Sequence, residues 1–175
     1  DIFLDKNLKN VEKAPDLKYK EVKKGTKDIY NQPVIVGFGP SGLFAALLLS
    51  RRGYSPIILE RGLDVSKRTK EWNDFLENRT FKEHASILFG EGGAGTFSDG
   101  KLTTMISDVR CRFILEEFVK AGAHPEIIHV NRPHIGTDVL KKVIKNIREE
   151  IIRNGGIVKF DSKVTDFIIQ DNKIK

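Results

Sequence analysis

The sequence predicts an α/β fold, a parallel sheet with helices packed on it, and three observations predict it. The apolar run Val34-Ile35-Val36 stops at Gly37, and Gly37, Gly39 and Gly42 then fall at G-x-G-x-x-G spacing. A strong helix former, Leu43 to Leu49, begins at once. A second apolar triplet, Ile57-Ile58-Leu59, ends at the acid Glu60. Strand, tight turn, helix and strand in that order set a pyrophosphate on a helix N-terminus. A carboxylate at the end of the second strand can accept hydrogen bonds from a ribose. The β-α-β unit at 33–62 therefore reads as a dinucleotide site.

Each residue of the turn has a physical task. Gly37 permits the tight turn, a side chain at Gly39 would block the pyrophosphate, and Gly42 lets the helix approach the strand. Pro40 and Ser41 open the helix, and the Ser41 hydroxyl can donate to a phosphate. Glu60 disfavours a cofactor with a 2′-phosphate, which would meet a carboxylate. Arg61 can offset that charge or lie beside the adenosine.

Residues 1–32 are Lys-rich and polar, with Pro15 and Gly25, and read as the end of a preceding region and a linker. Residues 33–175 read as the N-terminal part of the nucleotide-binding domain, with an insertion at 63–136. Within the insertion, 64–79 suits a partly exposed amphipathic helix, 86–104 is a Gly-rich loop, and 108–121 suits a helix ending at Ala121-Gly122. A longer helix starts with Thr137 as N-cap and Asp138 in the first turn. Leu140, Val143, Ile144, Ile147 and Ile151 share one face, and Asn154-Gly155-Gly156 stops it. Residues 157–160 and 164–169 read as strands, and Asp171-Asn172 as the turn of a hairpin whose return strand lies outside the chain.

The composition excludes several classes. Thirty basic against 24 acidic residues give a net charge of +6, but the charges are interleaved. That pattern suits a solvated surface, and no nucleic-acid partner is expected. A single cysteine, Cys111, excludes a disulfide scaffold and suits a reducing, cytoplasmic setting. No apolar run approaches the roughly 20 residues needed to span a bilayer. The chain begins with Asp1 rather than Met, so a piece of a longer protein is expected. Three histidines, His124, His129 and His134, are spaced five apart between prolines, which does not suit a metal site.

The second glycine loop, Gly90 to Lys101, has too many glycines for a simple turn. Gly93 and Gly95 suit close approach of backbone to a ligand, and free N–H groups there can bind a pyrophosphate or a flavin edge. Gly95 to Lys101 also fits G-x-x-x-x-G-K, but Leu102 stands where a nucleotide triphosphatase needs Ser or Thr for magnesium. Lys101 is instead a candidate neighbour of a reduced flavin. The spacing after Glu60 points the same way. A simple NAD domain reaches its next parallel strand after one short crossover, whereas here 60–156 intervene, as in flavoproteins.

Val34-Ile-Val-Gly-Phe-Gly-Pro-Ser-Gly-Leu-Phe-Ala-Ala with Leu59-Glu-Arg-Gly resembles the flavoproteins related to glutathione reductase. Phe89-Gly-Glu-Gly-Gly-Ala-Gly-Thr-Phe-Ser-Asp-Gly-Lys-Leu-Thr-Thr and Arg132-Pro-His-Ile-Gly-Thr-Asp are similar to a bacterial family of NAD/FAD-utilising dehydrogenases. The resemblance implies a Rossmann-like FAD-binding domain and an FAD-dependent oxidoreductase, with NAD(P)H or a small-molecule substrate as donor. It places Arg68 near the phosphates and the Val164 backbone at the adenine. It names no catalytic residue. An alternative is a protein that uses FAD as scaffold or carrier, including in RNA modification. FAD is expected to bind these 175 residues alone only weakly, because the flavin-side segments lie outside them.

Overall fold

A computed structural model describes residues 13, 15–16, 18–20, 22–27, 29–82 and 86–174. Half of the expected N-terminal region, 1–12 among it, lies outside these residues. The fold is α/β and Rossmann-like, with a three-stranded parallel sheet, helices and a separate antiparallel hairpin. Strands β1 (Val34–Val36), β2 (Ile57–Leu59) and β3 (Ile157–Lys159) stand in the order β1-β2-β3. Val34, Ile57 and Ile157 align across the sheet, as do Ile35, Ile58 and Val158, and Val36, Leu59 and Lys159.

Helix α1 (Pro40–Arg51) joins β1 to β2, with Pro40 pre-set for the first helical position. Residues 60–156 join β2 to β3. They hold α2 (Val65–Asn78), α3 (Val109–Lys120) and α4 (Thr137–Arg153), with 3-10 turns at Ala94–Phe97 and Pro125–Ile128. Asp64 caps α2 by accepting from Ser66 and Lys67 N–H, and Asp108 caps α3 by accepting from Arg110 N–H.

The middle row of the sheet faces the core. Ile58 is fully buried against Leu43, Ala46 and Leu47 of α1 and the apolar stripe of α4, Leu140, Val143, Ile144, Ile147 and Ile151. Alternation sends the other two rows to the opposite face. There Val34 is 58% exposed, Val36 55% and Ile157 42%. Arg51 of α1 ties the helices together, reaching Glu117 of α3 and Glu150 of α4 at 2.6 Å each.

Three expectations change. Gly136, not Thr137, caps α4, because Ile135 N–H is already bonded to Gly100 O and holds the chain extended until Gly136. The second C-terminal strand shrinks to β4 (Ile169–Gln170), since 164–168 make no ladder among the described residues. The return strand is present as β5 (Lys173–Ile174), across a turn in which Asp171 and Asn172 have φ of 52° and 58°. That pair of positive φ values matches the hairpin turn that suits strand twist.

Candidate functional site

The glycine turn is built as its spacing requires. Gly37 has φ +91° and donates its N–H to Leu59 O at 2.8 Å, locking the turn to β2. A Cβ at Gly42 would stand 2.1 Å from Gly37 O and 3.3 Å from Ile35 Cγ2, so only glycine lets α1 sit this close to β1. A Cβ at Gly39 would meet no protein atom within 4 Å. The restriction expected at Gly39 is therefore one a ligand would impose. Gly39 is the N-cap of α1 and supplies no side-chain cap, so the first N–H groups of a 12-residue helix face outward beside exposed Pro40 and Ser41.

Glu60 lies under this turn, 2% exposed. Its Oε2 accepts from Phe38 N–H and its Oε1 from Gly62 N–H, both at 2.7 Å. Each oxygen keeps a further lone-pair direction for a hydroxyl. Arg61 is exposed and lies 4.6 Å over the Phe89 ring. Asp161 N–H bonds Gly62 O and Ser162 N–H bonds Glu60 O, which brings the irregular segment with half-buried Val164 beside the acid.

The second glycine loop docks on the first. Gly92 N–H bonds Phe38 O at 2.9 Å, and a Cβ at Gly93 would stand 2.8 Å from Pro40 Cδ. Phe38 thus gives its N–H to Glu60 and its carbonyl to the second loop. Gly95 borders the same hollow as Pro40 and Ser41, a cavity of about 500 Å³ with an apolar floor that includes Leu43, Phe44 and Ile144, whereas Gly93 packs on Pro40 and its N–H, expected to be free for a ligand, is bonded to Gly90 O at 2.8 Å. Lys101 reaches its rim, exposed and paired with Asp99 at 2.7 Å, and its backbone bridges to His134. Most glycines of this loop answer to protein contacts as much as to a ligand. Gly90, Gly92 and Gly100 have positive φ, and a Cβ there would meet Arg68, Thr96 and Ile135 respectively.

Arg68 lies beneath the loop, with no exposed surface. Its Nη1 donates to Glu91 O at 3.1 Å and its guanidinium lies 4.6 Å over Phe97, while Nε and Nη2 have no partner. Burial pushes its pKa down, against the nearby charges of Glu91, Glu60 and Asp64. The sequence reading missed Glu91, which is also fully buried. Its Oε2 accepts from Val65 N–H at 2.6 Å and from Arg148 Nη1 at 3.0 Å, and Oε1 has no partner. Burial pushes its carboxyl up, opposed by Arg148 and the Val65 N–H. A lone acid among glycines carries no periodicity; its one sequence signal is its cost if left without a partner.

Taken together, the uncapped α1 N-terminus, the open side of Gly39 and the buried acid at the end of β2 fit the pyrophosphate and ribose of a dinucleotide. Among the described residues, no group of three or more His, Cys, Asp or Glu converges as a metal site would require. No helix among them is long and apolar enough to cross a membrane.

A family model described as an NAD(P)-binding Rossmann-like domain matches residues 35–97, which take in the first glycine turn and the second glycine loop as far as Phe97. An uncharacterized protein of Clostridium beijerinckii (strain ATCC 51743 / NCIMB 8052) is 53% identical over 154 residues. The match takes in 88% of this chain and 29% of that protein, so the chain spans less than a third of its relative's length. The nucleotide-binding Rossmann-like character of the site thus rests on sequence family and geometry alike.

Proposed function

We propose that these residues are the nucleotide-binding part of an FAD-dependent oxidoreductase and hold the ADP half of FAD. The observation that carries the reading is the junction at Phe38, where the G-x-G-x-x-G turn, the acid of β2 and the second glycine loop are bonded to one another. In this reading the N–H groups at the start of α1 and the Ser41 hydroxyl take the pyrophosphate. Glu60 takes the ribose hydroxyls, and Arg61 flanks the adenosine. The Val164 backbone takes the adenine. Gly95 flanks the pyrophosphate and the flavin edge, with Gly93 closing the loop against Pro40, Lys101 faces the flavin side, and Arg68 adds positive charge beneath the phosphates. The crossover at 60–156 supports FAD over NAD, because it delivers a second backbone wall that a short crossover would not.

When bound, the flavin supplies a two-electron acceptor for a reduced pyridine nucleotide or an organic substrate, and the protein supplies orientation and electrostatics. The apolar floor of the hollow would exclude water from that end. The proposed domain division puts 33–175 in this nucleotide-binding unit, and the single cysteine, Cys111, supports a reducing, cytoplasmic setting.

The test titrates purified protein with FAD and with NAD, uses ADP as competitor, and then adds NADH or NADPH without oxygen. FAD binding that ADP displaces, with bleaching of the visible flavin band by a donor, is the expected result. Tight NAD binding without FAD binding overturns the FAD reading. Bound flavin that no donor reduces favours a flavoprotein without dehydrogenase activity.

A further inference from the structure

We infer that Glu91 is a positioning residue of the dinucleotide site, fixing the second glycine loop against the first so that a pyrophosphate meets two backbone walls at once. The inference rests on the reading that the glycine turn takes an ADP moiety. Three connections converge on this one residue. Its carboxylate receives the N–H of Val65, the first residue of α2, and Nη1 of Arg148 from α4. Its carbonyl receives Nη1 of Arg68, three residues further along α2. Helices from opposite ends of the long crossover are thus tied to the residue just before Gly92. Gly92 in turn donates to Phe38 O, and Phe38 N–H is the donor that orients Glu60. Arg148–Glu91–Gly92–Phe38 is a continuous series of contacts from α4 to the first glycine turn, while Glu60 keeps a second anchor in Gly62 N–H, so the ribose contact does not depend on Glu91.

The loop has little freedom to find this position otherwise. Side chains at Gly92 and Gly93 would run into Thr96, Ile144 and Pro40, so the backbone lies at contact distance at these two positions. The cluster is also poorly satisfied for a purely structural one. Glu91 Oε1, Arg68 Nε, Arg68 Nη2 and Thr96 Oγ1 are all buried without partners. Native proteins rarely leave such groups unpaired unless another requirement holds them there. Glu91 touches neither the open side of Gly39 nor the hollow, so it acts through the loop.

The test compares adenosine with ADP, measuring both affinities by ligand-observed NMR for wild type, Glu91→Gln and Arg148→Met. Glu91→Gln keeps the size of the side chain and removes its charge. Adenosine affinity should stay within about twofold, while ADP affinity falls about tenfold or more, the scale of one charge-assisted hydrogen bond. A circular-dichroism melt confirms that each variant folds, and Arg148→Met carries the comparison if Glu91→Gln does not fold. Unchanged ADP affinity, or equal losses for ADP and adenosine, overturns the inference. Wild type that binds neither ligand overturns the nucleotide-site reading instead.

Discussion

Gly39 and Gly42 belong to one motif but are predicted to fail in opposite ways when substituted. A Cβ at Gly42 would sit 2.1 Å from Gly37 O, whereas carbon–oxygen contacts settle at about 3.3 Å or more. The obstacle is backbone that is itself bonded to β2, so α1 and β1 must separate by about 1 Å at their closest point. Overpacking of this kind costs about 1–3 kcal/mol, and a rigid backbone obstacle places Gly42→Ala near 3. In a chain of this size each kcal/mol lowers Tm by about 2–4 °C, so a drop of roughly 6–12 °C is expected. Gly39 has φ −67° and ψ −173°, extended backbone that valine adopts, with no atom within 4 Å of its Cβ. Gly39→Val should therefore move Tm by no more than about 2 °C, as surface substitutions do, yet abolish ADP binding. Calorimetric melts and ADP titrations read both. A Gly42→Ala protein that melts with wild type, or a Gly39→Val protein that still binds ADP, would refute the reasoning.

Other substitutions probe the frame around the site. Burial alone would push the Glu117 carboxyl up, but hydrogen bonds and charge from Arg51 and Lys120 overcome it and hold the pKa below the ordinary value. The stability it contributes is therefore complete above the unfolded carboxylate pKa, about 4.3, and is lost as pH falls through the depressed folded value. Glu117→Gln should destabilise at neutral pH, and the gap to wild type should close in acid, as pH-dependent urea melts will read. Asp64→Ala removes the acceptor for Ser66 and Lys67 N–H and should cost about 1 kcal/mol, with faster amide exchange in the first turn of α2. Gly100→Ala places a Cβ 1.6 Å from Ile135 O at φ +66°. It should break the Ile135–Gly100 bond and lose the exchange protection of Ile135, and protection retained there would count against the backbone placement.

The parts of the fold that could be read in the sequence are those with a period. Val34–Val36 ending at a glycine, the three- and four-residue spacing from Leu140 to Ile151, and the acid after Ile57-Ile58-Leu59 each pointed to an element that is present. The second glycine loop was legible as special, but part of the reason for its glycines was not. Several of its glycines are demanded by Arg68, Thr96 and Ile135, residues that the sequence does not place nearby. Glu91 and Arg148 stand 57 positions apart and meet only because the crossover folds back on itself. The strand expected over 164–169 failed for a related reason: apolar β-branched residues supply propensity, but a strand also needs a partner.

The face of the sheet turned away from the helices carries a consequence for handling these residues in isolation. Among the described residues β1 is an outer strand, and Val34 and Val36 stand uncovered beside its edge, with Lys159 the one charge in the aligned rows. A bare apolar strip next to an unpaired edge invites a neighbouring molecule to pair with it. Soluble yield of these residues made alone should then depend on concentration more than on temperature. A lysine at Val34 or Val36, remote from both glycine loops, is the mildest way to keep the molecules apart.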